Sequence, residues 1–461
     1  MNVLFVAAEG WPFVKTGGLG DISYSLPKAL KKSGVDARVV LPKYSAIPEE
    51  YKKQMKHLGH KWINFAGKQV YLGVETLTLD GVTYYFIDNE DYFKREKIYG
   101  EYDDCERFGF FSKAALEAID ITEFYPDIVH TNDWHTGPVS AYLNKGIKNV
   151  YTIHNLRFQG IFPGDNLGKV LELNPYEHFH EAGMKYYDAI SFMKAGVNYA
   201  DAVTTVSNTY AKEIKTQEYG EGLEGLFRHI DYKLYGIING IDYKVFEAKK
   251  GRKTEAKKNL QKKMGLEVKA STPLIGMVTR FDRQKGLDLI TRVFDHIVAM
   301  GAQLVILGSG EKSYEKFFLE KAEQYKGQVA VVTGFNGGLA NEIYAGCDMF
   351  LMPSQFEPCG LSQMISMRQG TIPIVRETGG LADTVEPYNE YEDKGTGFSF
   401  KNYSSHELLN TVGYAIDTYK NKAKWRNLVK RAKEKDFSWD EACKKYIRLY
   451  EMLLIDKELR A

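Results

Sequence analysis

The chain has 461 residues, a formal net charge of +1, 44 % hydrophobic and 26 % charged residues. That length is long for one core and makes two domains the expectation, and the balanced charge excludes any global electrostatic case for nucleic acid or another polyanion. The four cysteines, Cys105, Cys347, Cys359 and Cys443, form no Cys-x-x-Cys pair. Neither a disulfide framework nor a zinc site is therefore expected, and a reducing cytoplasm is the simplest setting. No apolar run approaches ~20 residues, and the N-terminus reads as a strand without a basic flank, so neither a membrane span nor a signal peptide is expected. The 31 tyrosines suit flat polar ligands such as sugars, and a Tyr-rich core equally.

In chain order, the first half alternates strands and helices. Apolar runs predict strands at Asn2–Ala8, Ala37–Leu41, Thr83–Ile87, Ile128–Thr131, Asn149–Ile153 and Ala202–Ser207. Between the first two, Ile22 to Lys32 has helical spacing and stops at Gly34. Trp62 to Ile87 breaks the rhythm with a two-residue alternation and an Asp80-Gly81 turn, which predicts a β-hairpin inserted beside a parallel sheet.

Lys244 to Ala270 carries roughly three times as many basic as acidic residues. No aromatics interleave with its lysines, so a solvated, partly helical connector is favoured over a nucleic-acid patch. Beyond it the alternation restarts, with strands predicted at Leu274–Val278, Leu304–Leu307, Val329–Val332, Met349–Met352 and Ile372–Val375, of the length expected in a buried parallel sheet. A final helix runs from Ser438 to about Ile455. Two open α/β domains imply a cleft, with ligands beyond the carboxyl ends of the strands.

Unusual polar residues fall at those strand ends. Lys15-Thr16-Gly17-Gly18-Leu19-Gly20-Asp21 joins a strand to a helix. It is neither a P-loop, whose lysine follows the glycines, nor Gly-x-Gly-x-x-Gly. It reads as an ordinary turn or as a phosphate site made by close backbone approach, a helix N-terminus and a lysine. Asp133-Trp134-His135 follows the next strand end, where Asp133 either caps a helix or accepts sugar hydroxyls beside an indole face. His154-Asn155 follows a third, as a structural pair or a ligand contact.

In the second half, Arg280 and Lys285 stand at a strand-to-helix transition, where two cations suit a departing diphosphate or merely a solvated surface. Phe335, in Gly334 to Gly338, stacks on a flat base or closes a turn. Glu357 lies in a loop ahead of a helix beginning near Gly360. The loop's N–H groups at Cys359, Gly360 and Leu361 suit a phosphate or a sugar hydroxyl. Thr378-Gly379-Gly380 repeats the pattern after the following strand.

The stretches KTGGLGD, NDWHT, TIHN, TVSNTYAKEI, IINGID, VTRFDRQKG, PSQFEPCGLSQM and ETGGLADTV occur in this order from Lys15 to about Val385. As a set they resemble the bacterial glycogen synthase and plant starch synthase family. The resemblance implies a GT-B fold: α/β, two Rossmann-like doubly wound domains facing across a cleft. The expected divisions are 1–243, an acceptor-side domain; 244–270, the connector; 271–437, a nucleotide-sugar domain; and 438–461, a C-terminal helix free to return to the first domain. It implies transfer of glucose from ADP-glucose to the non-reducing end of an α-1,4-glucan, such as glycogen or a maltooligosaccharide, with retention. No cofactor, metal, nucleic acid or membrane partner is implied, and the oligomeric state is left open.

Carried over by motif, Lys15 and Gly17-Gly18 meet the donor's phosphate region and Asp21 supports that loop. Arg280 and Lys285 hold the diphosphate, Phe335 stacks on the base where relatives often have Tyr, and Thr378-Gly379 also face the phosphates. His154, Asn155, Glu357 and the N–H groups of Cys359, Gly360 and Leu361 are expected at the glucose and its phosphate, with Glu357, Arg280, Lys285, His154, Asp133 and Asp21 as the catalytic set. Asp133, Trp134 and Tyr99 line the acceptor side. Many retaining GT-B enzymes carry a second glutamate eight positions after the first; here it is Ile365, a gap the synthase family shares, and the Thr378-Gly379-Gly380 turn stands in.

Retention with no evident carboxylate nucleophile points to front-face attack rather than a covalent intermediate. Closure about a hinge at the connector is expected to bring Lys15 and His154 against Arg280, Lys285 and Glu357. UDP-glucose as donor, a GT-B sugar-nucleotide epimerase, a phosphorylase and a non-catalytic glucan binder are the alternatives. The phosphate-facing cations speak against the non-catalytic binder. An epimerase would share them and is told apart by primer-dependent polymerisation, a phosphorylase by its pyridoxal lysine, and UDP-glucose by competing the two donors.

Overall fold

The computed structural model describes residues 1–144, 146–246 and 253–460. The chain divides into two compact units, each with its own apolar core. One comprises Met1–Val206, Ala211–Ile237 and Trp439–Ala461; the other comprises Ser207–Tyr210 and Ile238–Ser438.

The first unit is built on a nine-stranded sheet. Its order is Leu234–Gly236, Ala202–Thr205, Lys148–Ile153, Ile128–Asn132, Asn2–Val6, Asp36–Pro42, Val82–Asp88, Lys68–Leu79, Lys56–Phe65. The first seven strands run parallel, and the last two add antiparallel to one edge. Continuous apolar runs such as Val3 to Val6 are buried because helices cover both faces of a parallel sheet. The alternating hairpin stretch becomes the antiparallel extension, whose last strand begins at Lys56, earlier than the pattern predicted.

The helix after the first strand spans Gly18–Lys32 and buries Leu19, Ile22, Leu26 and Leu30 along one face. It starts four residues ahead of the expected Ile22, so Gly18 and Asp21 belong to its first turn. Lys31 and Lys32 sit in its last turn, where the helix dipole favours cations. The C-terminal helix Trp439–Arg460 belongs to this unit. It buries Trp439, Cys443, Tyr446 and Tyr450, and the Tyr450 hydroxyl lies 2.6 Å from His130 Nδ1.

The second unit has a six-stranded parallel sheet ordered Val329–Thr333, Gln303–Gly310, Leu274–Phe281, Met349–Met352, Ile372–Arg376, Phe398–Phe400. Numbered along the chain this is 3-2-1-4-5-6, the doubly wound order, with its switch point between Leu274–Phe281 and Met349–Met352. The first unit reverses in the same way between Asn2–Val6 and Ile128–Asn132. Among the described residues, no helix is long and apolar enough to cross a membrane.

Of the basic stretch, residues 247–252 lie outside the described residues. In the following helix, Lys253–Lys263, Lys258, Lys262 and Lys263 are exposed, whereas Lys257, Leu260 and Gln261 are buried. The Lys257 ammonium donates to Asp348 at 2.7 Å and to the carbonyls of Thr272 and Ala270 at 2.6 and 3.0 Å. Composition shows the lysines but not the cage of acceptors that makes burial of one tolerable.

Candidate active site

Both switch points gather the polar residues singled out in the sequence. In the first unit, the turn after Asn2–Val6 holds Lys15, whose ammonium pairs with Asp21 at 2.7 Å on a half-exposed surface. A Cβ on Gly17 or Gly18 would meet nothing within 4 Å, whereas one on Gly20 would strike the Lys15 side chain. The first two glycines are thus not demanded by packing; their bare faces are open to a ligand.

Glu9, which the sequence reading passed over, organises this turn. Its carboxylate accepts from the Thr16 N–H, from the Thr16 hydroxyl at 3.0 Å, from the Gly17 N–H at 3.3 Å and from the Tyr99 hydroxyl at 3.1 Å. The available signal was a lone acid directly ending an apolar strand run.

On the other side of the same switch point, Asp133 follows Ile128–Asn132 with φ 57° and ψ −179°, a conformation that costs a non-glycine residue strain. Its carboxylate accepts from the His154 N–H at 2.7 Å. Burial raises its pKa to about 7 even though the N–H groups of His154 and Asn155 favour the ionised form. The expected helix-capping alternative does not hold: Asp133 makes no side-chain cap bond to the short turn Trp134–Thr136.

His154 Nε2 donates to Asn132 Oδ1 at 2.9 Å, since the Asn132 amide itself donates to the Val6 carbonyl. Its Nδ1 is buried without a partner among the described residues. Burial pushes the imidazole pKa down to about 3, so the ring is neutral and Nδ1 is an open acceptor. Asn155 turns its Oδ1 onto the Arg157 N–H. Trp134 is packed against Phe108, His135 and Phe162, with Gly160 close against its ring. These contacts fix the orientation of the indole, which stays partly exposed. Tyr99 stacks on His135 with centroids 4.4 Å apart.

In the second unit, Lys285 and Glu357 leave opposite sides of the switch point and meet at 2.7 Å. Ser354 donates to the same Glu357 Oε2 at 3.0 Å, so both bonds fall on one carboxylate oxygen. Gly286, next to Lys285, has φ 71° and no room for a Cβ, which would lie 2.0 Å from the Pro353 carbonyl oxygen. Arg280 is the penultimate residue of its strand, with a side chain 64 % exposed and Asp282 at 3.5 Å. Phe335 is 96 % exposed on the turn that the Asn336 side chain closes by accepting from the Leu339 N–H at 2.9 Å.

The helix expected near Gly360 begins at Ser362. Among the described residues the backbone N–H groups of Cys359, Gly360 and Leu361 have no acceptor. The Thr378 to Gly380 turn packs closely against the Glu357 loop. Thr378 is buried, and a Cβ on Gly379 or Gly380 would lie 1.9 or 2.0 Å from the carbonyl oxygens of Glu357 or Cys359. The Gly380 N–H donates to the Glu357 carbonyl at 3.0 Å. These glycines allow one loop to brace the other. Ile365 is buried in the helix Ser362–Arg368.

Comparison with known proteins decides the family. The starch synthase catalytic domain matches residues 2–229, and the glycosyl transferases group 1 domain matches residues 259–435. A glycogen synthase of Fusobacterium nucleatum is 54 % identical over 98 % of this chain and 100 % of its own length. The chain belongs to the glycogen and starch synthase family of glucosyltransferases. A glycogen synthase of Caldicellulosiruptor saccharolyticus is 49 % identical over 98 % of this chain and 100 % of its own. The catalytic domain of starch synthase IV from Arabidopsis thaliana, solved bound to ADP and acarbose, superposes with a TM-score of 0.90 at 33 % identity, covering 98 % of both chains. A sucrose-phosphate synthase from Thermosynechococcus elongatus shares the fold at a TM-score of 0.63 and 19 % identity. The fold class is GT-B, as the resemblance implied.

Proposed function

We propose that the chain transfers glucose from ADP-glucose to the 4-hydroxyl at the non-reducing end of an α-1,4-glucan, with retention, in the cytoplasm. The observation that carries the reading is the Lys285–Glu357 pair at the switch point, beside the exposed Arg280. It joins a cation suited to a diphosphate to a carboxylate suited to sugar hydroxyls. The ADP held by the starch synthase IV relative supports an adenine nucleotide, and four free cysteines accord with a reducing compartment.

In this reading the bond from the anomeric carbon to the phosphate oxygen breaks through an oxocarbenium-like transition state. The acceptor hydroxyl forms the new bond on the same face and passes its proton to the departing phosphate. Arg280 and Lys285 stabilise the charge that develops there, and the N–H groups of Cys359, Gly360 and Leu361 add donors for it. Lys15, its ion pair with Asp21 and the open faces of Gly17 and Gly18 suit a donor phosphate. Glu357 Oε1 and His154 Nδ1 accept from glucose hydroxyls, with Asn155 alongside. Phe335 stacks on the base, Gly379 holds the Glu357 loop, and Tyr99, Asp133 and Trp134 face the acceptor.

The test is transfer of radiolabelled glucose onto glycogen, with ADP-glucose and UDP-glucose competing in one reaction. Incorporation chiefly from ADP-glucose is expected. Preference for UDP-glucose overturns the donor assignment, and no primer-dependent incorporation from either overturns the reaction.

A further inference from the structure

We propose that Glu9 is a positioning residue that couples the glycine-rich turn to Tyr99, so that one carboxylate sets both. The inference rests on the proposed roles of that turn at the donor and of Tyr99 at the acceptor. Glu9 is only 4 % exposed and directly follows the buried apolar run Val3 to Ala8 that opens the first unit. Its Oε2 receives the N–H groups of Thr16 and Gly17; its Oε1 receives the Thr16 hydroxyl at 3.0 Å and the Tyr99 hydroxyl at 3.1 Å. Four hydrogen bonds gathered on one buried carboxylate fix its orientation and hold the donors in turn.

Two consequences follow from this geometry. The Thr16 and Gly17 N–H groups, which a phosphate nest would use, point inward at Glu9. A donor phosphate is then left the first-turn N–H groups of the helix Gly18–Lys32 and the Lys15 ammonium. Tyr99, meanwhile, is stacked on His135 in the segment that carries Asp133 and Trp134. A shift of the turn is therefore transmitted through Glu9 to the phenol, and from there to the acceptor-side ring stack.

The experiment is a double-mutant cycle of Glu9→Gln and Tyr99→Phe, with KM measured separately for ADP-glucose and glycogen. Glutamine keeps the size but replaces one accepting oxygen with a donor. Glu9→Gln is expected to raise both KM values by about tenfold, the scale of a lost charged hydrogen bond. Tyr99→Phe is expected to raise the glycogen KM alone, and the double variant to be no worse than Glu9→Gln. Additive effects, a donor-only effect, or a lowered melting temperature with both KM values unchanged overturn the coupling. If Glu9→Gln does not fold, Thr16→Val takes its place in the cycle and the same non-additivity is required. Calorimetric titration with ADP and with maltotetraose reads the same cycle without turnover. Failure of transfer from ADP-glucose therefore counts against the proposed reaction and leaves the coupling to be decided by binding.

Discussion

The Lys285 ammonium lies 2.7 Å from the Glu357 carboxylate, with only 17 % and 9 % of the two side chains exposed. Each neutralises a charge that would be costly to bury alone. Lys285→Ala leaves Glu357 unpaired, at a cost of about 3–5 kcal/mol in stability. If Lys285 also stabilises the departing phosphate, kcat falls by about two to three decades. Denaturant melts and turnover at saturating donor separate the two effects; near-normal turnover rules out the phosphate role.

Asp133 ties stability to pH. In the unfolded chain its carboxyl ionises near the ordinary 3.8, while burial in the fold holds the proton to about 7. Between those values the native state binds more protons than the unfolded state, so this group's contribution to stability falls as pH rises. Asp133→Asn removes the dependence. Its melting temperature relative to the unsubstituted protein is expected to rise from pH 5 to pH 8 while transfer activity drops. A constant difference across that range contradicts the assignment.

His154 behaves in the opposite sense. Its imidazole is held neutral down to about pH 3, against an ordinary 6.5, by burial. The unfolded state takes up the proton first, so this contribution is present above pH 6.5 and is lost as pH falls below it. Proton NMR of the His154 ring is expected to show no titration between pH 5.5 and 8. A midpoint near 6.5 would mean a solvated ring.

Two glycines give contrasting tests. Gly379→Ala places a methyl 1.9 Å from the Glu357 carbonyl oxygen at φ 45°; it is expected to destabilise by about 1–3 kcal/mol and to displace Glu357. Gly17→Ala has φ −150° and open space, so stability is expected to stay within about 0.5 kcal/mol while the donor KM rises. Thermal melts and donor titrations on the pair distinguish bracing from ligand approach.

Phe335→Ala removes a ring that is 96 % exposed. Melting is expected to be unchanged, and the donor KM to rise by about tenfold, the scale of base–aromatic stacking. An unchanged KM for ADP-glucose would leave the ring without a role at the base.

The sequence was most legible where burial is continuous. Met349–Met352 has the predicted bounds, and Asn149–Ile153 is extended by one residue, to Lys148. Short pieces such as Leu234–Gly236 and Phe398–Phe400 escaped because three residues carry too little periodicity to register. Their pairing comes from the neighbouring strand. At the site, Lys285 and Glu357 were identified separately, but their ion pair depends on two loops 72 residues apart. Glu9 went unread because its partners lie in other segments.

By itself, the amino-acid sequence determined the doubly wound class, the polar residues at the strand ends and the family, because apolar runs and local motifs are written contiguously. Only the tertiary structure decided which glycines brace a neighbouring loop, which lysine of the basic stretch is buried, and which donors share a carboxylate. Those outcomes depend on desolvation and on donors brought together from distant segments, and neither quantity is local to any stretch of the chain.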